Sequence, residues 1–167
     1  MNSLGYYGYL EWQLNAEAMG DPDAEARVAP LTTINLAPLS LYQSDSAVVI
    51  RELTEATITR AIYSNRQLLE RMVEFWADHF NTNITSVGIL KTLEVREVYR
   101  RHALGTFAGM LNASASSPAM LRGLERSVSR ARALGLEVGI ITPGEALGIC
   151  PVMTAAGLHG AVHVPDD

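Results

Sequence analysis

Between Ser64 and Asn81 the apolar residues come in pairs: Leu68 and Leu69, Met72 and Val73, Phe75 and Trp76, then His79 and Phe80. The pairs recur at steps of about 3.6 residues, so they stack into one wide apolar face of a helix. A chain bearing such a face must cover it with other apolar elements. The start is marked by Ser64-Asn-Arg-Gln67. This has capping-box form: the serine hydroxyl accepts from the N3 amide and Gln67 reaches back. Asn81-Thr-Asn83 ends the run. This helix is expected to be the most buried element, with Leu69, Met72, Val73, Trp76 and Phe80 in the core.

Helical signals surround it. Leu10, Leu14 and Ala18 recur at spacing four and predict a helix from Gly5 to Ala18, stopped by Gly20 and Pro22. From there to Asp45 the chain is Pro- and Ala-rich and reads as a long loop. Ser46 to Tyr63 is a second helix, with Val49, Leu53 and Ala56 on one stripe. Leu90 to Ala103 is a fourth, with Val95, Val98 and Tyr99 set against charged Glu94, Arg96, Glu97, Arg100 and Arg101. Thr106 to Ala115 is a fifth. Ser117 and Pro118 open a sixth as N-cap and N1, and Gly135 closes it, so Ser117 to Leu134 is expected to be one continuous helix.

The texture changes after Gly135. Glu137 to Ile141 and Gly160 to Val164 are short β-like runs. Between them Thr142-Pro-Gly-Glu145 starts a helix that Cys150-Pro151 stops. The fold class is therefore mainly α: a helical bundle-like module over residues 1–122, then a strand–helix–strand tail over 123–167. The β-like runs have no other strands to pair with, and must pair with each other, pack on the helices or stay mobile.

Composition narrows the function classes. The chain has 167 residues, 48% of them hydrophobic and 19% charged, which is globular composition. Thirteen basic against 18 acidic residues leave a net charge of -5, with no basic excess to hold a phosphate backbone, so nucleic acid is not an expected partner. The single cysteine, Cys150, excludes an internal disulfide and a cysteine-cluster metal site. No stretch is long and apolar enough to span a membrane. Met1 to Leu10 contains no Lys or Arg, so it has no signal-peptide n-region, and the chain as written reads as cytoplasmic.

Two resemblances overlay this reading. Arg60 to Asn81, above all Phe75-Trp76 followed by His79-Phe80-Asn81, resembles the bacterial family called domain of unknown function 1800. Arg101-His-Ala-Leu-Gly-Thr-Phe107 and Ser117-Pro-Ala-Met-Leu121 fit the same family, and the likeness covers residues 1 to 122. It implies a mainly helical fold and no assigned reaction. The family is often encoded beside exported proteins, so full-length relatives are expected to be exported. It has more chain before Gly5 and a further C-terminal segment, which implies a truncated module here. Residues 125 to 167, with Ser129 to Leu147, Cys150-Pro151 and Leu158 to Asp167, resemble a substrate-domain piece of FAD-dependent sarcosine and dimethylglycine dehydrogenases. Flavin binding would need a Gly-x-Gly-x-x-Gly turn between strand and helix, and no glycines here have that spacing. FAD is thus expected only if a dinucleotide-binding half is supplied elsewhere, and no cofactor is expected for this chain.

The candidate site residues are few. His79 beside Asp78 and Asn81 can act as a base, bind a metal, or simply cap its helix and pack on Trp76 or Phe75. Arg100, Arg101 and His102 end a helix, where the dipole favours cations; the sharper reading is an anion site in which Arg101 and His102 meet His79. His159 and His163 flank a glycine and make a weak metal pair. Glu52, Glu55, Glu70 and Glu74, with Arg51, Arg66 and Arg71, read as surface salt-bridge faces. Cys150 reads as a structural thiol. The leading expectation is a helical module without assignable activity, truncated or fused to a foreign tail. The alternatives are a fragment of an FAD-dependent amine oxidoreductase, or a small anion or metal binder through His79 and His102. A protein partner or oligomer is expected to use the exposed apolar surface that truncation leaves.

Overall fold

The computed structural model describes residues 5–151 and 160–165. Helices dominate it. They are α1 (Gly5–Leu14), α2 (Pro22–Val28), α3 (Pro38–Gln43), α4 (Ser46–Tyr63), α5 (Gln67–Phe80) and α6 (Ile84–Val87). Then come α7, which runs without a break through Leu90–Glu94, Val95–Tyr99 and Arg100–His102, α8 (Phe107–Ala115) and α9 (Pro118–Ala133). The tail holds β1 (Gly139–Ile141), α10 (Pro143–Ile149) and β2 (Ala161–His163), the two strands pairing antiparallel with Ile140 opposite Val162. The mainly helical class read from the sequence holds.

The expected loop from Gly20 to Asp45 is a correction. It contains α2, a 3₁₀ turn at Thr32–Asn35 and α3. Pro22 and Pro38 start the two short helices at N1 rather than breaking them, because the missing N–H at that position has no intrahelical partner anyway. Val28, Leu31 and Ile34 from this segment form a core cluster with Ala56 of α4. Arg96 of α7 donates to the Ile34 and Leu36 carbonyls at 3.0 and 2.9 Å, pinning the turn.

The start of α5 also differs from expectation. Gln67 does not reach the Ser64 amide; its side-chain amide donates to the Ser64 carbonyl at 2.7 Å. The Ser64 hydroxyl accepts from Arg66 N and donates to Asp21 Oδ2. An N-terminal amide of the helix, Leu68 N–H, is satisfied from elsewhere: Gln13 of α1 accepts it at 3.0 Å and donates to the Asn65 carbonyl at 2.9 Å. Distant side chains thus meet the needs of the orphan amides that a local box would have met.

The apolar face of α5 packs as expected, yet α5 is not the most buried element. Only Val73 is fully buried, in a cluster with Val98, Tyr99, Ala103 and Met110; Leu69, Met72, Trp76 and Phe80 lie partly buried against it. Phe75 is 53% exposed. The wide face exceeds what the neighbouring helices cover. The deepest side chains come from α7, α8, α3 and α4: Tyr99, Met110, Leu41 and Val49.

The helix across Ser117 to Leu134 is continuous, as expected. Ser117 Oγ accepts from Met120 N at 3.1 Å, the cap its position predicts. At the other end Gly135 has φ 83, and its N–H and that of Leu136 donate to the Arg132 and Ala131 carbonyls. This is the Schellman arrangement, which requires a left-handed residue at C′. The Thr142–Glu145 capping box is also formed.

Candidate functional site

The sequence-derived candidates do not assemble into one centre. His79 is exposed near the end of α5, its ring stacked on Phe75 with centroids 5.9 Å apart, and edge-on to Trp76 and Phe80. Asn81 is the left-handed C-cap of α5, with φ 38 and its N–H on the Ala77 carbonyl. Arg101 is exposed and pairs with Glu97 one turn earlier at 2.6 Å. His102 lies half-buried in the last turn of α7, with Nδ1 toward Gly109 of α8. Among the described residues no hydrogen bond or ring contact joins His79 to His102, and no group of three metal-type ligands occurs. His163 sits half-buried on β2; His159 lies outside the described residues.

Two of the carboxylates read as surface charges are instead tertiary anchors. Glu70 accepts two hydrogen bonds from Arg100 across the α5–α7 contact. Glu52 accepts from the backbone amide and hydroxyl of Thr33 at 2.8 and 2.7 Å. Of the arginines, Arg66 donates to the Met19 carbonyl and to Glu25. Arg71 and Glu74, which pair at 2.6 Å, stay on the surface as expected, as do Arg51 and Glu55.

A polar cluster that the sequence reading placed on a charged face is buried. Glu94, at the end of the first α-helical stretch of α7, is 1% exposed. Its carboxylate accepts from Thr82 Oγ1, from Lys91 Nζ at 3.0 Å and, more weakly, from Ser117 Oγ at 3.5 Å. Lys91 Nζ also donates to Thr82 Oγ1 at 2.8 Å and stands 5.1 Å over the Tyr99 ring. The cause is backbone geometry. Val95–Tyr99 is a π-helical turn, and its wider winding brings Glu94 and Tyr99, five residues apart, onto one face. The Tyr99 hydroxyl lies near Glu94, Thr82 and Ser114 without reaching hydrogen-bond geometry with any of them. Burial, reinforced by the negative charge of Glu94, pushes its pKa well above the ordinary value. Charges at spacing three or four look like surface pairs in a sequence; a π turn cannot be read there.

A concavity opens beside this cluster. It is a groove of about 500 Å³ between α4, α5 and α7. Leu53, Ala61, Val73, Ala77 and Val95 supply apolar wall, and four cations line it: Arg60, Arg71, Lys91 and Arg100. Three have carboxylate partners, namely Glu74, Glu94 and Glu70. Arg60 makes no ion pair or side-chain hydrogen bond among the described residues. Burial, and then repulsion from Arg100, lower its pKa to about 10, so it still carries its charge at neutral pH. Of the groove's residues, the sequence brought toward a ligand site only Arg100, as part of the Arg100–His102 cluster, and Asp78, as the neighbour of His79; the signal for Arg60 was that it continues an apolar stripe after Val49, Leu53 and Ala56.

A helical module with a walled groove and a buried ionic cluster beside it is the class that this geometry defines. A family model for proteins of unknown function, DUF1800, matches residues 1–134, and the chain belongs to that family. The match takes in the whole of α9. No curated protein and no solved structure matches the chain. The resemblance of the tail to FAD-dependent dehydrogenases gains no support from these comparisons.

Proposed function

We propose that this chain is a ligand-binding module and that the groove between α4, α5 and α7 is its binding site. The observation that carries this reading is the groove itself, of a size within the range of small-molecule sites, with apolar wall from seven residues and seven charged residues converging on it. The Arg100–Glu70 pair ties α7 to α5 along the groove, which contributes to the preorganisation a binding site needs. No reaction is assigned.

The test is a titration of the full chain with small apolar and acidic fragments, followed by backbone amide NMR shifts. Shifts clustering on Leu53, Ala61, Val73 and Val95, and lost in Ala61→Trp, support the site. Shifts that map to α1 or to the Phe75–Phe107 surface overturn it. The flavin-oxidoreductase alternative for the tail rests on its sequence resemblance alone. A visible absorption spectrum decides it, because a bound flavin absorbs blue light.

A further inference from the structure

We infer that the ligand of the groove is an amphipathic monocarboxylic acid, its carboxylate held by Arg60 and its apolar body laid along the α4–α5–α7 wall. The assignment rests on the groove being the binding site, and adds the chemistry of the occupant.

Arg100 is neutralised by Glu70 through two hydrogen bonds, Arg71 by Glu74, and Lys91 by Glu94. Arg60 is left as the cation without a partner among the described residues, half-buried on the groove wall. Of the carboxylates whose charge favours it, Glu70 is held by Arg100, and Asp21 accepts from Ser64 and Asn65; neither forms an ion pair with Arg60. Asp78 also lines the groove, but it is exposed and forms no ion pair with Arg60. A guanidinium partly withdrawn from water without hydrogen-bonded partners for its N–H groups is under-satisfied. A carboxylate answers it with two parallel hydrogen bonds in the planar geometry arginine prefers.

A single guanidinium without an ion pair offers a place for a single carboxylate. A phosphate monoester would bring nearly two negative charges beside Glu70 and Glu74, where the surplus is repelled. The wall beyond Arg60 is Leu53, Ala61, Val73 and Val95, which solvate an alkyl or aryl body and offer a second carboxylate nothing.

Calorimetric titration of the full chain with octanoate, octanol and octyl phosphate at neutral pH tests this. Octanoate should bind at least about tenfold more tightly than either of the others, which is the scale of a single charge-assisted contact. Arg60→Gln should bring octanoate down to the level of octanol. Equal binding of octanoate and octanol overturns the carboxylate assignment and leaves the groove reading standing. Tighter binding of octyl phosphate overturns the choice of head group. Binding of none of the three removes both readings. The head-group comparison uses the unsubstituted protein, so it decides the question even if Arg60→Gln fails to fold.

Discussion

Arg100 donates two hydrogen bonds to Glu70, Nη1 to Oε2 at 2.6 Å and Nη2 to Oε1 at 2.8 Å, and so ties α7 to α5 across thirty residues of chain. Both side chains are largely out of water, at 21% and 9% exposure. The pair does more than join two helices. It keeps a second guanidinium beside Arg60 from acting as a free positive charge.

Glu70→Ala is therefore expected to destabilise the protein by about 2–3 kcal/mol, somewhat below the cost of breaking a fully buried pair. The variant leaves Arg100 and Arg60 to repel each other without the Glu70 carboxylate. Adding Arg60→Met should recover part of the loss. Denaturant unfolding of the two single variants and the double variant measures the coupling; strict additivity would show that Arg60 and Glu70 do not interact.

The Glu94 cluster predicts an alkaline limb in stability. Tyr99 keeps its proton more tightly in the fold than in the unfolded chain, where the ordinary value is about 10. Its contribution is then fully present below about pH 10 and is lost as pH rises through the raised folded pKa. Arg60, whose pKa is lowered in the fold, acts with the opposite sign over the same window. Comparison with Tyr99→Phe isolates the tyrosine. The variant should be close to neutral in stability at pH 7, because the hydroxyl has no hydrogen-bond partner there, and its unfolding free energy should fall less steeply above pH 10. Identical curves would mean that the hydroxyl titrates freely.

Gly135 is expected to tolerate substitution only at a backbone cost. Nothing lies within 4 Å of where a Cβ would stand, so space is not the limit, and φ 83 is. Gly135→Ala should cost about 1 kcal/mol and Gly135→Asn less, since asparagine accepts the left-handed region more readily. Thermal unfolding reads the difference. An alanine variant as stable as the parent would place the helix stop elsewhere than in this residue.

The tail should open before the helical core. β1 and β2 are three residues each and form a two-stranded sheet whose Ile140 and Val162 are exposed. It is attached to α9 through Val138, whose carbonyl accepts from Arg132 Nε at 2.8 Å. Such a pair is marginal by itself. Amides of residues 139–141 should exchange with deuterium much faster than those of 69–75. Equal protection would make the tail part of the same cooperative unit.

The sequence by itself determined where most helices start and stop. Asp45, Thr106, Ser117 and Thr142 cap the helices they precede, Asn81 and Gly135 take the left-handed turns that end α5 and α9, and both β-like runs form strands. These are contacts within a few residues, so the local pattern carries the information. The tertiary structure alone decided which charges face water. Glu70, Glu94 and Arg100 read as surface charges because each has an oppositely charged neighbour at helical spacing, and Arg96 because Glu97 follows it. Three are bound across the fold instead, Glu70 with Arg100 and Arg96 with two carbonyls of the 3₁₀ segment. Glu94 does keep its helical neighbour Lys91, but the pair is buried. The groove followed from that same choice, since it exists only where α4, α5 and α7 meet and where Arg60 is the cation left over. A helix's register fixes which residues share a face; only packing fixes what that face meets.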